Sequence, residues 1–274
     1  MENASFPKRL LSRVIPHRLK RAFQARVFRA VNLRWHLGSG VHIEVLSPTD
    51  WSLYNDIFVE AEYDGAIQDV LRQTAARGTG TVLDLGANVG FFELRLIHLA
   101  AKAGLKPGQL RVVAVEPDVE NVRELDRRLV ACGAWKNDVT LVTGLAGKRT
   151  GEANLWKSHN HHSCTVIERR KYQGAQAVAA QYVDLTRVVP ATGPFELLKC
   201  DIEGSEEEFV VNYGDLLSRV SVAVFEIHHG SSDAQTMRVL LHSAGLVHEE
   251  IVAEHETNSV HIFRREPSRP RTSV

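Results

Sequence analysis

The stretch Thr81-Val-Leu-Asp-Leu-Gly-Ala-Asn-Val-Gly90 decides the fold of this chain. Its first half is a short apolar run, and its second half is a turn that contains two glycines. An amphipathic segment, Phe91 to Ala100, follows directly. A buried run, a glycine turn and an apolar stripe at helical spacing predict a strand, a tight turn and a helix in that order.

The same alternation continues toward the C-terminus. Asp118 is suited to cap a helix, and Ser205 with Glu208 matches a capping box at the start of another. Further strands are predicted at 111–115, 139–143, 195–200 and 220–225, a further helix at about 233–244, and a terminal hairpin at 246–252 and 259–263. Strands that alternate with helices predict an α/β fold with a mostly parallel sheet, helices on both faces and an antiparallel C-terminal hairpin.

Polar side chains follow the predicted parallel strands at the point where each strand ends. Asp84, Glu116, Asp201, Glu226 and His228 each lie at or just beyond such an end. Ligands of open α/β sheets bind at the carboxyl ends of the strands, near the point where the strand order reverses. We therefore expect these side chains to form one site.

The turn after the first predicted strand is suited to a nucleoside without phosphate. Gly86 and Gly90 stand four apart, so the dinucleotide pattern G-x-G-x-x-G is absent, which counts against a nicotinamide oxidoreductase. Asp84 would repel a pyrophosphate but attract a cationic group, and S-adenosylmethionine carries a sulfonium and an ammonium. Glu116 could accept both ribose hydroxyls, or it could be only a favourable charge at a helix N-terminus.

Five segments resemble, in the same order, motifs of the FkbM-type methyltransferases. They are Ile57–Tyr63, Val82–Phe91, Val115–Asp118, Leu198–Glu206 and Phe225–His228. The resemblance spans about residues 50 to 264, and the order of the set makes it specific. It implies a class I Rossmann-like methyltransferase fold with a seven-stranded sheet and S-adenosylmethionine as cofactor. It also implies methyl transfer, usually to oxygen, on sugars, polyketides or other secondary metabolites.

The resemblance also implies a set of cofactor-binding residues. The glycine turn would line the methionine and ribose, Glu116 would hold the ribose, and the turn at 144–146 would border the adenine. Asp201 would face the amino-acid end or the acceptor, and Tyr63 would close over the cofactor. The expected cofactor-binding residues are Tyr63, Asp84, Gly86, Ala87, Asn88, Gly90, Phe91, Glu116, Pro117, Leu145, Ala146 and Asp201.

An acceptor hydroxyl must lose its proton, and His228 is the base best placed by sequence, because a neutral imidazole titrates near working pH. It could instead bond a backbone carbonyl at the strand end. Asp201 and Glu226 are further catalytic candidates and could hold Mg²⁺, although no third carboxylate stands beside Glu226 and metal dependence is not favoured. His162 is a reserve base in the segment 159–164, whose spacing fits no standard zinc site.

Charge and composition set the expected compartment. The 274 residues are neutral overall, but residues 1–35 hold nine Lys/Arg against one acid, which leaves 24 bases and 32 acids for the rest. An acidic body argues against DNA as a partner. Three cysteines are too few for a disulfide framework, and neither a signal peptide nor a membrane-spanning run is evident, so we expect a cytoplasmic protein.

Three regions are expected along the chain: a basic helical N-terminal extension at 1–49, a methyltransferase domain at 50–265, and a disordered tail at 266–274. The basic helix could pack as a cap, make a weak contact with a membrane surface or a partner, or serve a homodimer. The expected acceptor is a small molecule. Two alternatives stay open: a methyltransferase that acts on RNA or protein, and a scaffold that binds the cofactor without catalysis.

Overall fold

The computed structural model describes residues 26, 27, 30, 31, 33–157, 164–168 and 175–266. The strands are β1 Leu33–His36, β2 His42–Val45, β3 Gly80–Leu85, β4 Leu110–Glu116, β5 Val139–Thr143, β6 Glu152–Lys157, β7 Cys164–Thr165, β8 Gln176–Gln181, β9 Phe195–Cys200, β10 Val220–His228, β11 Leu246–Glu254 and β12 Asn258–Arg265. The α-helices are α1 Pro48–Tyr54, α2 Asp64–Arg77, α3 Phe91–Lys102, α4 Val119–Val130, α5 Leu185–Val188, α6 Glu206–Asn212, α7 Gly214–Leu217 and α8 Ala234–Ser243. A π-helix, Asn55–Val59, extends α1, and a 3₁₀-helix, Gly133–Asp138, follows α4.

The predicted α/β sheet is confirmed, with seven strands in the order β11-β12-β10-β9-β3-β4-β5. The strands from β10 to β5 run parallel, and β12 pairs antiparallel with β10 and β11. From β3 the chain proceeds outward to β4 and β5 and then returns to the other side of β3 at β9. The strand order therefore reverses between β3 and β9, and a ligand site is expected at the carboxyl ends of these strands.

Helices cover both faces of the sheet and bury two apolar cores. One core contains Leu94 from α3 and Ile67 from α2. The other contains Phe209 from α6 and Leu241 from α8. Burial of each side chain of this size stabilises the fold by about 1.5 to 3 kcal/mol. The strand ends, and the side chains that follow them, are thereby held in fixed positions.

The helix starts follow their predicted chemistry only in part. Asp118 accepts a hydrogen bond from a backbone N–H in the first turn of α4, as predicted, and Asp233 does the same for α8. The predicted capping box of Ser205 and Glu208 is wrong, because the Ser205 side chain makes no capping hydrogen bond. Its backbone, at φ −102° and ψ 13°, is not in the extended region that lets an N-cap side chain reach the first turn.

A second sheet stands where the sequence predicts an irregular stretch. Strands β7, β6 and β8 pair antiparallel in that order. Only Leu155 of β6 is fully buried, and β8 is almost entirely exposed. Strand β6 alternates between polar and apolar residues only over its first four positions, and β8 shows no alternation. The reserve base His162 lies in the neighbouring segment, outside the described residues.

Strands β1 and β2 form an antiparallel hairpin in a segment for which the sequence predicts a helix. Ile43 and Val45 are buried in the first core, whereas His42 is exposed. This period of two is that of a strand, and burial of its apolar face outweighs the looser helical pattern. The prediction of a helical extension up to residue 49 is therefore wrong for residues 33–45, and the packed core begins before residue 50.

Both ends of the chain lie largely outside the residues that the structure describes. Residues 1–25 of the predicted basic extension and residues 267–274 of the predicted tail are not among the described residues. None of the described helices has the length and apolar character that crossing a bilayer requires.

Candidate active site

The turn between β3 and α3 lies against the end of β9. Gly86 has a φ of 81°, and a Cβ atom there would lie 1.7 Å from the carbonyl oxygen of Asp201. Gly90 has a φ of 90°, and a Cβ there would lie 2.2 Å from the Leu125 side chain of α4. Only glycine meets both requirements, so these residues let the turn, the end of β9 and α4 approach closely.

A cavity opens beside this turn, at the ends of β4, β5 and β9, and we call it the narrow cavity. Its wall contains most of the expected cofactor residues that follow the parallel strands, together with Cys164 from β7. The expected residues found in its wall are Gly86, Asn88, Glu116, Pro117, Leu145, Ala146 and Asp201. The structure thus brings together residues that stand far apart in the sequence.

Glu116 is a buried carboxylate in the wall of the narrow cavity. Its Oε1 atom accepts a hydrogen bond from the backbone N–H of Asp118 at 2.9 Å, and its Oε2 atom accepts one from that of Asn88 at 2.9 Å. Burial raises the pKa of Glu116 to about 7, although these hydrogen bonds oppose the rise. Oε2 keeps a second lone pair, so the carboxylate can still accept a hydrogen bond from a ligand hydroxyl.

Asp84 lies behind the turn. It lines neither the narrow cavity nor the wider cavity on the other side of the turn. Its side chain is fully buried, and its Oδ1 atom accepts a hydrogen bond from Nζ of Lys199 at 3.0 Å. Lys199 also donates to the carbonyl oxygen of Gly86 at 2.9 Å. Burial lowers the pKa of Lys199, but the charges of Asp84 and Asp201 outweigh it, so the pKa is raised and the lysine stays charged. Asp84 thus holds the lysine that holds the turn, and its contact with the ligand stays a prediction.

A wider cavity of about 270 Å³ lies on the other side of the turn. We call it the acidic cavity, because the carboxylates of Asp56, Glu62, Asp201 and Glu226 line it. Asp56 comes from the π-helix and Glu62 from the loop before α2. Asp201 directly follows β9, and Glu226 lies near the end of β10. Four separate segments of the chain therefore contribute acids to one wall.

The remaining expected cofactor residues divide between the acidic cavity and the packing around it. Tyr63, Ala87 and Phe91 line the acidic cavity, whereas Gly90 lines neither cavity and acts through its contact with α4. Gly86, Asn88 and Asp201 line both cavities. A ligand that extends from one cavity into the other would pass these three residues.

Residues 84–247, more than half of the chain, match the profile of the methyltransferase FkbM domain. The chain belongs to the FkbM methyltransferase family. The resemblance seen in the sequence is thereby confirmed. No curated protein sequence matches the chain.

Several solved structures are similar to this FkbM protein. A methyltransferase FkbM from Methylobacillus flagellatus KT has a TM-score of 0.50 and 16% identity, and the match covers 68% of this chain and 43% of that one. The human methyltransferase 10 domain containing protein has a TM-score of 0.49 and 12% identity, with 92% and 99% covered. The N-terminal domain of EvdMO1, crystallised with SAH bound, has a TM-score of 0.47 and 14% identity, with 92% and 98% covered. This chain therefore spans less than half the length of the Methylobacillus chain.

Asp201 and Glu226 stand near the ends of adjacent strands of the FkbM protein. The Oδ1 atom of Asp201 is buried and has no hydrogen-bond partner among the described residues. Glu226 Oε1 accepts a hydrogen bond from the side-chain amide of Asn258. Burial raises the pKa of Glu226 well above its usual range, and the charge of Asp201 adds to the rise while His228 opposes it. A carboxylate with a raised pKa is a stronger base, so Glu226 is suited to accept a proton from a ligand.

His228 lies outside the acidic cavity wall, in a buried contact with an acid of α6. Its Nδ1 atom is 2.9 Å from Oε1 of Glu206, and its Nε2 atom is 3.5 Å from carboxylate oxygens of Glu203 and Glu226. Burial lowers the pKa of His228, but the hydrogen bond and charge of Glu206 outweigh it and raise the pKa to about 9. The prediction of a neutral imidazole base therefore disagrees with the structure, which favours an imidazolium at neutral pH.

The hypothesis of Mg²⁺ at Asp201 and Glu226 stays a prediction that these contacts do not favour. Among the described residues, the acidic and imidazole ligand atoms close enough to share an ion belong to Asp201, Glu206 and His228, within 4.8 Å of one another. Glu206 already accepts hydrogen bonds from His228, from Ser232 and from backbone N–H groups. A saturated carboxylate beside an imidazolium is a poor donor set for a hard cation.

Sequence reasoning missed four residues that shape the site: Lys199, Glu206, Asp56 and Glu62. A lysine inside the apolar run of β9 was a signal, because charged residues are rarely fully buried without a partner. The other three residues, which are all acids, carried no local signal. Their burial depends on packing between elements that are distant in the sequence.

Proposed function

We propose that this FkbM protein is an S-adenosylmethionine-dependent O-methyltransferase that acts on a hydroxyl group of a small molecule. The observation that supports it is the pair of cavities that meet at Gly86, Asn88 and Asp201. The narrow cavity suits the nucleoside of the cofactor, and the acidic cavity suits an acceptor. Donor and acceptor would then be held against each other at the junction, and such positioning is a large part of catalysis in a displacement reaction.

The residues at the junction fit S-adenosylmethionine. Oε2 of Glu116 can accept a hydrogen bond from a ribose hydroxyl, and the unpartnered Oδ1 atom of Asp201 suits an ammonium group. Because Gly86 has no Cβ atom, the turn can lie close to the end of β9; a Cβ atom would occupy the space between them. When bound, the cofactor supplies a methyl group activated by its sulfonium.

Glu226 is the base that we assign to the reaction. Its carboxylate would take the proton of the acceptor hydroxyl while the acceptor oxygen gains the methyl group, and its raised pKa favours that transfer. His228, with Nε2 3.5 Å from Glu226 Oε1, would act as a positioning residue. A positioned base of this kind contributes roughly 100- to 10,000-fold to a rate.

A small-molecule acceptor agrees with the charge of the site. Four carboxylates line the acidic cavity, and they would repel the phosphates of RNA. The cavity is also bounded, at about 270 Å³, which is close to the size of typical small-ligand pockets of roughly 300 to 1,000 Å³.

Binding of S-adenosylhomocysteine, measured by isothermal titration calorimetry, tests the cofactor assignment. We expect Gly86→Ala to abolish measurable binding, because the new methyl group collides with the carbonyl of Asp201. Gly104→Ala is the matched control: its φ is 85°, but a Cβ there meets nothing within 4 Å. It carries a similar backbone strain of about 1 to 2 kcal/mol without the collision. Full affinity in Gly86→Ala would contradict the assignment.

Transfer of label from methyl-labelled S-adenosylmethionine to a panel of sugars and polyketides tests the reaction. On an accepted substrate, Glu226→Gln is expected to lower kcat at least about 100-fold, because the proton loses its acceptor. Glu254→Gln removes an exposed carboxylate from β11, at the edge of the same sheet, and should leave kcat unchanged. Label found only in RNA or protein would favour that acceptor class, and cofactor binding without any transfer would favour a non-catalytic scaffold.

A further inference from the structure

The wall of the acidic cavity contains more carboxylates than cationic side chains. Its four carboxylates face one lysine and one histidine, Lys199 and His255. The Lys199 ammonium is already engaged by Asp84 and by the carbonyl of Gly86. S-adenosylmethionine has one net positive charge, so it offsets only part of what remains.

The excess lies at the end of the cavity formed by Asp56 and Glu62. Glu62 is only 7% exposed, and its Oε1 atom contacts Nε2 of His255 at 3.2 Å. Burial raises the pKa of both acids, and the charge of Asp56 raises the pKa of Glu62 further. His255 opposes both rises without cancelling them, so a ligand cation beside these carboxylates would lower their pKa values further.

Tyr63 independently indicates a polar ligand in this cavity. It is 4% exposed, its ring packs edge-on against Phe92, and it lines the cavity. Its hydroxyl makes no hydrogen bond within the described part of the chain. Burial and the charges of Glu226, Asp201 and Glu62, which line the same cavity, raise its pKa well above its usual range. A hydroxyl that borders a cavity and has no protein partner is free to bond a bound molecule or water.

The spacing of the acids favours an organic cation over a metal ion. In the described part of the chain, Asp56 and Glu62 do not belong to any group of three acidic, imidazole or thiol ligands that approach within 4.8 Å of one another. Carboxylates spread around a wall suit a broad ammonium group with several N–H donors, whereas Mg²⁺ requires oxygen ligands at about 2.1 Å from one point.

We propose that the acceptor carries a protonated amino group beside its reacting hydroxyl, so that the substrate is an amino alcohol such as an amino sugar. Asp56 and Glu62 hold the ammonium, Tyr63 donates its hydroxyl to an acceptor oxygen, and Glu226 is left for the proton of the reacting hydroxyl. This inference rests on the proposed function, because it specifies the substrate of the same site.

The experiment compares matched amine and neutral probes on the full chain loaded with S-adenosylhomocysteine. The pairs are D-glucosamine with D-glucose, D-galactosamine with D-galactose, and 2-aminoethanol with ethane-1,2-diol, with affinities taken from NMR titrations. We expect at least one amine to bind about tenfold tighter than its neutral partner, the effect of one added charge-assisted contact. Equal affinity within every pair would overturn the inference. Failure of S-adenosylhomocysteine itself to bind would instead contradict the proposed function.

Variants locate the preference in the cavity. Glu62→Gln and Asp56→Asn should each reduce the preference for the amine while S-adenosylhomocysteine affinity, which also reports folding, stays unchanged. Glu60→Gln is the matched control, because Glu60 lies on the same segment but is exposed and does not line the cavity. An amine preference that survives both cavity variants would contradict the assignment of the ammonium to this wall.

Discussion

At the scale of single residues, the contact between His228 and Glu206 makes stability depend on pH. The pKa of His228 is raised from 6.5 to about 9 in the folded chain. The contribution of the pair is therefore fully present below about pH 6.5 and is lost as the pH rises through about 9, and it amounts to roughly 3 kcal/mol. We expect the free energy of unfolding in urea to fall across this window.

Two variants, compared over the same pH window, separate the effect of His228 from that of other titrating groups. In His228→Gln the fall should be smaller by the contribution of the pair, whereas His229→Gln, which changes an exposed neighbour, should keep the wild-type fall. If wild type and His228→Gln lose the same free energy between about pH 6.5 and about pH 9, the imidazolium assignment is wrong.

Residues at strand ends could be predicted, and residues that act through partners could not. Glu116, Asp201 and Glu226 line the cavities because a parallel strand delivers whatever follows it to one edge of the sheet. Asp84 ends a strand in the same way, yet it faces Lys199 of β9. That contact depends on the register that pairs these two residues across β3 and β9, and no local pattern contains a register.

At the scale of elements, the start of α8 shows what a cap contributes. Asp233 accepts hydrogen bonds from the backbone N–H groups of Gln235 and Thr236. We expect Asp233→Ala to lower the free energy of unfolding by about 1 kcal/mol, because these donors lose their partner. Ser205→Ala at the start of α6 should change it little, since Ser205 makes no capping bond. Equal losses in the two variants, measured by urea unfolding, would show that the caps are misassigned.

Elements could be predicted where burial imposes a pattern. The strands of the central sheet are apolar runs because helices cover both of their faces. Strand β8 reads Gln-Ala-Val-Ala-Ala-Gln and is exposed along most of its length, so neither run nor alternation marks it. Its pairing with β6 supplies the hydrogen bonds that hold it, and such pairing between segments has no signature in either one alone.

At the scale of the whole molecule, the core extends beyond the family match. That match begins at residue 84, yet the hairpin of β1 and β2 packs into the same apolar core as α2 and α3. The acidic cavity also depends on residues upstream of the match, Asp56 and Glu62 among them. The segment before residue 84 therefore belongs to the folded unit and to the wall of the acidic cavity.

This arrangement predicts that a substitution in the hairpin destabilises the entire molecule. Ile43 is 0% exposed in the core, so Ile43→Ala should lower the free energy of unfolding by about 2 to 5 kcal/mol through lost burial and the cavity that it leaves. Ile251→Ala removes the same atoms from a side chain that is 53% exposed on β11, and it should cost less than about 0.5 kcal/mol. Both variants are compared by urea unfolding followed by circular dichroism. If the hairpin were a separate appendage, Ile43→Ala would leave the main transition where it is in the wild type; because Ile43 shares the core with α2 and α3, we expect that transition to shift as a whole.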